Sequence, residues 1–561
     1  MAYFIFAYHL LVVYLSCSRI SLSLAQNLPL KAVNLGNWLV IEKWMKPSLF
    51  NGMPNDDLLD GAQIQLKSTK LQKYLCAENG GGSIVVANRA SASGWETFRL
   101  WRVNENTYNL RVFNKQFVQK DRVTRVVAVN NVPGGWETFE IVRKPDDKYR
   151  VRIKASNGLF VQVKSDTEVA ADYEGYGWED SNPSVFIMTV KTDLHGEYQL
   201  TNGFGPDRAR QVLQEHWNNF VTEQDFRFMS ANGLNAVRIP VGWWIAYDPN
   251  PPKPFVGGSL QALDNAFNWA HHLSRTAAIL TGENLFRPYH RSRRTSVSAS
   301  SIVVSSSAHP VEPDPTNCPI TSSGPRVNML RGRKYGMKVI IDLHAVQGSQ
   351  NGWEHSGTRD GYLEWGDSYI SDTVRVIDFL AKRYAYHPAM IAIELMNEPW
   401  VDVNLDTLKR YYKEGYEAVR KYTSNAYVIL SNRLGWPVDP KELFSFASGL
   451  HRVVVDVHFY NLYEDKFRNM NAQQNIDYIY NNRASDLGAV TTSNGPLTFV
   501  GEWSGDWYAK QEIDEDRKRF IKSQLEVYGR ATFGWAYWSY RHDSTPIWNL
   551  KGLIENHFIN L

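Results

Sequence analysis

The sequence predicts an α/β protein: a (β/α)8 TIM barrel that carries an inserted all-β domain of the β-trefoil type. Three observations lead there. Eight short apolar runs with strand character are spread along the chain, most of them separated by amphipathic helical patterns. A unit of about 42 residues recurs three times between residues 62 and 190. The repeat starts after the first apolar run and ends before the second, so it interrupts the barrel rather than preceding it.

The apolar runs lie at 32–34, 236–240, 338–344, 391–395, 427–430, 453–457, 497–500 and 533–538. Such runs alternating with helices argue a parallel sheet buried on both faces, and eight of them argue a closed barrel. The helices are punctuated as expected. Thr222 opens one and Gly233 closes it just before the second run. A helix near 372–386 carries Val374, Ile377 and Leu380 on one face and stops before Pro388. Residues 26–61 are thus expected to start the barrel and 191–561 to complete it.

The repeat is carried by Gly94-Trp95-Glu96-Thr97-Phe98, which recurs as Gly135-Trp136-Glu137-Thr138-Phe139 and more loosely as Gly177-Trp178-Glu179 with Phe186 beyond. The Trp positions step by 41 and 42 residues. Each unit opens with alternating apolar residues and a turn, as in Tyr149-Arg150-Val151-Arg152-Ile153 followed by Ala155-Ser156-Asn157-Gly158. Short alternating strands between turns make an all-β unit, and three copies match the three-fold plan of a β-trefoil. A compact domain whose ends lie close together can enter a loop in this way.

Two stretches stand apart. Residues 1–25 hold an apolar run from Tyr3 to Leu15, followed by small residues at Ser23 and Ala25. They read as a signal peptide cleaved before Gln26, because the run is short of the ~18–20 residues that a membrane span needs. A secreted protein of the extracellular space or cell wall follows, with no membrane partner. Residues 271–331 turn Ser-, Arg- and Pro-rich and break a helix that starts near Leu263 and resumes near Lys334. About 60 structureless residues inside a compact barrel exceed ordinary loops. That run is expected to be a disordered or artefactual insertion.

Composition narrows the function classes. Lys plus Arg number 61 against 58 Asp plus Glu, a net charge of +3, so nothing asks for a nucleic-acid partner. Of three cysteines, Cys17 leaves with the signal and Cys318 lies in the anomalous run. A disulfide framework is not part of this fold. Nineteen Trp and 29 Tyr offer flat rings suited to the apolar faces of sugars.

In barrel enzymes the working groups sit at the C-terminal ends of strands. Reading those positions in order gives Arg238, His344, Asn397 with Glu398, His458 with Tyr460, Glu502 and Trp538. Two carboxylates on such a rim suffice for glycosidic hydrolysis: one protonates the leaving oxygen and the other attacks the anomeric carbon. Glu398 ends the fourth run as acid/base and Glu502 ends the seventh as nucleophile, facing each other across the mouth. Glu394, four residues earlier, points into the barrel. Arg238 is expected to hold Glu502 ionised and Tyr460 to hydrogen-bond it. Asn397 would reach a sugar 2-hydroxyl, His344 and His458 would orient hydroxyls, and Trp538 would form the floor. The two histidines lack metal-ligand spacing, so neither metal nor organic cofactor is expected.

These motifs resemble glycoside hydrolase family 5, a retaining family on the (β/α)8 barrel, most specifically at Asn397-Glu398-Pro399. Val33-Asn34-Leu35-Gly36-Asn37-Trp38-Leu39-Val40 with Glu42, residues 235–242, and Gly348-Ser349-Gln350-Asn351-Gly352 are similar to its exo-1,3-β-glucanase branch. The resemblance implies that Glu42 binds hydroxyls of the terminal sugar and that Asn351 and Trp353 line the cleft. The repeat resembles a fascin-like β-trefoil, an insert similar to that of plant members of the branch.

The expected activity is retaining cleavage of β-glucosidic bonds in glucans or β-glucosides, by a monomer whose trefoil contacts polysaccharide or only spaces the cleft. Two alternatives stay open: a transglucosidase using the same site, and a catalytically silent cell-wall carbohydrate-binding protein.

Overall fold

The computed structural model describes residues 28–280, 336–508 and 514–561. The signal-peptide segment, Cys17 and Cys318 lie outside them. Among the described residues Cys76 is buried and free, and no helix is long and apolar enough to cross a membrane.

Eight parallel strands close into a barrel, as the sequence predicts. They are Leu30–Asn34, Ala236–Gly242, Lys338–Ala345, Met390–Glu394, Tyr427–Ser431, Val453–Asn461, Leu497–Trp507 and Gly534–Tyr537, paired in that order with the last returning to the first. They are called the first to eighth barrel strands below. The period-two rule of a strand sorts their side chains. On the second, Val237, Ile239 and Val241 face outward into the main core, while Ala236 joins an inner plug that includes Leu30, Ile340, Ala392, Ile429, Val454, Phe499 and Phe533. That plug fills the bottom of the barrel, so residues one step further along each strand meet at the top.

The surrounding helices follow the predicted punctuation with shifted faces. Thr222 caps the helix Glu223–Ala231. The helix Ile370–Tyr384 buries Thr373, Val376, Ile377, Leu380, Ala381 and Tyr384, leaving Val374 at the edge of the buried stripe. One expectation needs correction. The helix thought to break at His271 runs from Ser259 to Leu280, so its helical pattern continues ten residues into the Ser- and Arg-rich run. The remainder of that run, from 281 on, lies outside the described residues.

Between the first barrel strand and the helices, twelve antiparallel strands from Gln63–Ser68 to Phe186–Thr192 form a second sheet system with its own core. Its first and last strands pair, with Leu66 opposite Met188, so the chain leaves and re-enters the barrel at one place. The repeat motif divides its labour. Phe98, Phe139 and Phe186 are core. Glu96 and Glu137 are buried and accept from the backbone N–H of Ser93 (2.7 Å) and Gly134 (2.8 Å), closing their own turns. The Trp of the first two units stays exposed.

A barrel loop grips this domain. Asp360 accepts from Trp101 Nε1 and Arg111 Nη1, both at 2.6 Å, while its carbonyl accepts from Arg99. Arg359 donates to Asp60 (2.8 Å), and the Tyr362 hydroxyl reaches the carbonyls of Val112 and Phe113. This loop directly follows the third barrel strand and also carries Asn351 and Trp353.

Candidate active site

Arg238 is the hub of the barrel top. Its Nε and Nη2 donate to the Glu394 carboxylate at 2.7 and 3.0 Å. Nη1 donates to Glu502 Oε1 (3.1 Å) and Asn34 Oδ1 (3.0 Å), and Nη2 also reaches Asn397 Oδ1 (2.8 Å). Asp342 Oδ2 stands 3.2 Å from Nη1. A guanidinium with no solvent exposure is tolerable only because its fork meets this many acceptors. Burial alone would loosen its proton, but Asp342 and Glu394 hold it well above the ordinary value. Glu394 is thus a structural partner of Arg238, pointing inward as read from the sequence.

Local backbone features aim the two rim glutamates. In the seventh strand Val500 pairs with Val457 but Glu502 pairs with His458, so Gly501 is an extra residue and the side-chain alternation flips there. Glu502 therefore faces the cavity. Gly501 donates its N–H to Asp456 Oδ1 (2.7 Å), and a Cβ there would sit 2.0 Å from the same carboxylate, so only glycine fits. Glu398 lies just past the fourth strand at φ +45°, a left-handed conformation that costs a non-glycine residue and is kept where the surroundings over-determine it. Its N–H donates to Ser431 Oγ at 3.3 Å.

One carboxylate oxygen of Glu398, one of Glu502 and a ring nitrogen of His458 all lie within 4.8 Å of one another. The Tyr460 hydroxyl donates to Glu502 Oε2 (2.8 Å). His458 Nδ1 is 2.6 Å from Glu398 Oε1, and its Nε2 is 3.3 Å from Asp456 Oδ2. Three donor atoms so close could in principle hold a cation, but the short His458–Glu398 bond turns two of them on each other.

This wiring sets the protons. Burial would strip His458 of its proton, yet Glu502, Asp456 and Glu398 hold its pKa well above the ordinary value. Burial would likewise push Glu398 up, but the His458 hydrogen bond and charge bring it down to about 2. Glu502 is raised by burial and by Glu398, against the pull of His458 and Arg238. The sequence reading expected Arg238 to lower Glu502. The salt bridge is present, and the loss of hydration outweighs it.

The other predicted residues surround this centre. His344 Nδ1 bonds Asp342 Oδ2 (2.6 Å), and its ring stacks on buried Trp538 with centroids 5.4 Å apart. Glu42 accepts from Trp44 Nε1 (2.9 Å), and burial lifts its carboxyl to about 8, neutral at ordinary pH. Trp353 is exposed at the rim, edge-on to Trp400. Asn397 keeps a buried Nδ2 with no partner among the described residues, a spare donor under the mouth.

Two expectations change. His458 has both ring nitrogens committed to carboxylates, so it serves the acid pair rather than sugar hydroxyls. Asn351 donates to the Glu398 carbonyl (3.1 Å) and His355 Nε2 (3.0 Å) while accepting from Trp353 N–H (3.0 Å), so it braces the loop from below.

Sequence reasoning missed His355, Asp342 and Asp456. His355 stands 3.5 Å from Glu398 Oε2 and 3.9 Å from Glu42 Oε2, and burial lowers it to about 4. It lies off the strands, on a short 3-10 turn, where strand-end logic cannot reach. The two aspartates did leave a signal. Asp342-Leu343-His344 and Asp456-Val457-His458 repeat one spacing, and residues two apart on a strand share a face.

A (β/α)8 barrel whose mouth holds two facing glutamates, one bonded by Arg and Tyr and the other by His, has the fold and site of a glycosidase acting on O-glycosyl bonds. Residues 331–544 match the cellulase family, glycosyl hydrolase family 5, and the chain carries a family 5 domain. Residues 55–191 match a domain family of unknown function, DUF7910. A probable glucan 1,3-beta-glucosidase A of Aspergillus clavatus is 28% identical over 64% of this chain and 79% of its own length. A glucan 1,3-beta-glucosidase of Schwanniomyces occidentalis is 27% identical over 64% of this chain and 77% of its own. Among solved structures, rutinosidase from Aspergillus niger aligns over 64% of this chain and 88% of its own at 16% identity, with a TM-score of 0.46.

Proposed function

We propose that this protein hydrolyses β-glucosidic bonds of glucans, 1,3-linked chains first, with retention at the anomeric carbon. The observation that carries the reading is the Glu398–Glu502 pair, with one oxygen of each within 4.8 Å of the other, closer than the ~6.5–9.5 Å that leaves room for an inverting water. The names of the fungal relatives support the glucan and its linkage.

Glu502 attacks the anomeric carbon as the glycosidic C–O bond breaks, and Glu398 hands a proton to the departing oxygen. Water then adds to the glycosyl ester, giving its proton to Glu398 and releasing Glu502. In the empty site that first proton rests on His458, and Glu502 is the strongest of the charges that keep it there. When Glu502 spends its charge on the new bond, His458 becomes a stronger acid as the leaving oxygen needs a proton. The 2.6 Å bond to Glu398 is the route. The free Nδ2 of Asn397 is available to a sugar 2-hydroxyl, and Trp538 with Trp353 flanks the ring. Export by a cleaved leader at 1–25 fits an extracellular glucan.

The test is a 2-fluoro-β-glucoside inactivator followed by peptide mass spectrometry. Label on Glu502 is expected. Label elsewhere overturns the assignment, and a chain that neither turns over nor labels is a binding protein instead.

A further inference from the structure

The repeat tryptophans of the inserted domain have no part in its core, and they differ from one another. Lys120 sits 4.9 Å over the Trp136 ring, and Arg152 lies 6.0 Å from the Trp178 ring, close against Phe160 at 3.6 Å. Among the described residues no cation covers Trp95, and its Nε1 donates to no protein group. Beside it stands Phe113, which is 59% exposed. Atoms of both rings come within about 3 Å of the place where Gly80 would carry a Cβ, so the two rings meet over buried Gly80.

This glycine lies in the turn Gly80-Gly81-Gly82, with φ of 74°, 133° and 75°. Gly80 and Gly81 are buried, and their lack of a Cβ lets the two rings and the Asn114 side chain pack directly onto the turn. Asn114 N–H donates to the Gly80 carbonyl (2.9 Å), tying the turn that holds Phe113 to this glycine turn. The Asn114 and Gln116 amides, bonded to each other at 2.8 Å, border it. Two flat rings that stay partly exposed, an indole N–H with no protein partner and two amides beside them suit a sugar, whose face is apolar and whose rim is hydroxyls.

The position also fits. The Tyr362 hydroxyl is bonded to the Phe113 carbonyl (3.2 Å), Gly352 meets the Gly361 carbonyl with no room for a Cβ, and Trp353 follows at the cleft rim. The loop that carries Trp353 at the cleft rim thus also holds the backbone of Phe113.

We propose that Trp95 and Phe113, packed on the Gly80–Gly82 turn, form a remote sugar-stacking subsite for a distal part of the same β-glucan chain that the barrel cuts. This rests on the glucan hydrolase reading above. Trp95→Ala and Phe113→Ala should each raise KM for laminarin roughly three- to tenfold, the worth of one aromatic contact. kcat and all constants for 4-nitrophenyl β-glucoside, too short to reach, should stay put. Trp95→Phe should keep most of the effect, and Trp136→Ala should behave as wild type. Unchanged laminarin KM in both alanine variants, or an equal loss in Trp136→Ala, overturns the subsite. If the wild type cleaves neither substrate, the hydrolase reading fails instead. Retardation in a laminarin gel then still decides the subsite, which is overturned if Trp95→Ala migrates as wild type.

Discussion

His458 shows how little of a side chain's role its identity carries. A histidine at a strand end reads as a hydroxyl binder, and at this position it becomes a cation between three carboxylates. The difference is tertiary, since Asp456, Glu398 and Glu502 come from two different strands and a loop. What sequence does carry is the type of residue at each strand end, and so Arg238, Tyr460 and both glutamates were legible. The charge balance was not, because burial, which moves every group here, is a property of the closed barrel. The network predicts a pH effect. In the proposed mechanism His458 must be protonated to supply Glu398, and Asp456 is one of the charges that raise its pKa. Asp456→Asn preserves shape and leaves an oxygen for Gly501 N–H but removes that charge. The His458 pKa then falls, and activity should be lost at lower pH as the solution is made more alkaline. A kcat–pH profile measures this, and an alkaline limb that stays where it is in the wild type sinks the relay.

Among elements, the seventh barrel strand was read as ending at Val500 and is observed to run to Trp507. Its polar second half, Gly501 to Trp507, breaks the apolar pattern that identifies a buried strand, yet sixth-strand partners continue beside it up to Asn461. The bulge at Gly501 was invisible for the same reason: pairing registers are set by the neighbour, not the strand. The helix past His271 is a like case, where a Ser- and Arg-rich composition hid a helical pattern. In the inserted domain the repeat was legible because its Glu and Phe perform the same turn-closing and core tasks in successive units. Gly501→Ala tests the bulge. Its Cβ would collide with Asp456, so the strand must shift, costing about 1–3 kcal/mol in stability as overpacking does. Displacing Glu502 by even ~1 Å should lower kcat on the order of 100-fold. Thermal melts and initial rates read both, and near wild-type kcat would show that the bulge does not position Glu502.

For the whole molecule, the barrel and the inserted domain have cores that share no residue, so what unites them is polar: the loop around Asp360, with Asp57, Asp60 and Asn202 bonded to Arg143, Lys148 and Arg102. Asp360 is the centre of that loop: it is buried, and it accepts from Trp101 and Arg111 across the boundary. Arg111 has a second partner in Glu364 (3.0 Å), so removing Asp360 leaves the guanidinium half satisfied rather than bare. Breaking a buried pair costs ~3–5 kcal/mol, and the remaining partner places this one at the low end. The loss falls on the junction alone, which predicts how the molecule comes apart. Asp360→Ala should release the inserted domain early, lowering its unfolding step by roughly 5–10 °C while the barrel step stays in place. Scanning calorimetry should then show two transitions, and protease should cut first in the inserted domain. A single transition at the wild-type temperature would mean that the remaining contacts suffice to couple the two, and that Asp360 contributes nothing to holding the cleft wall.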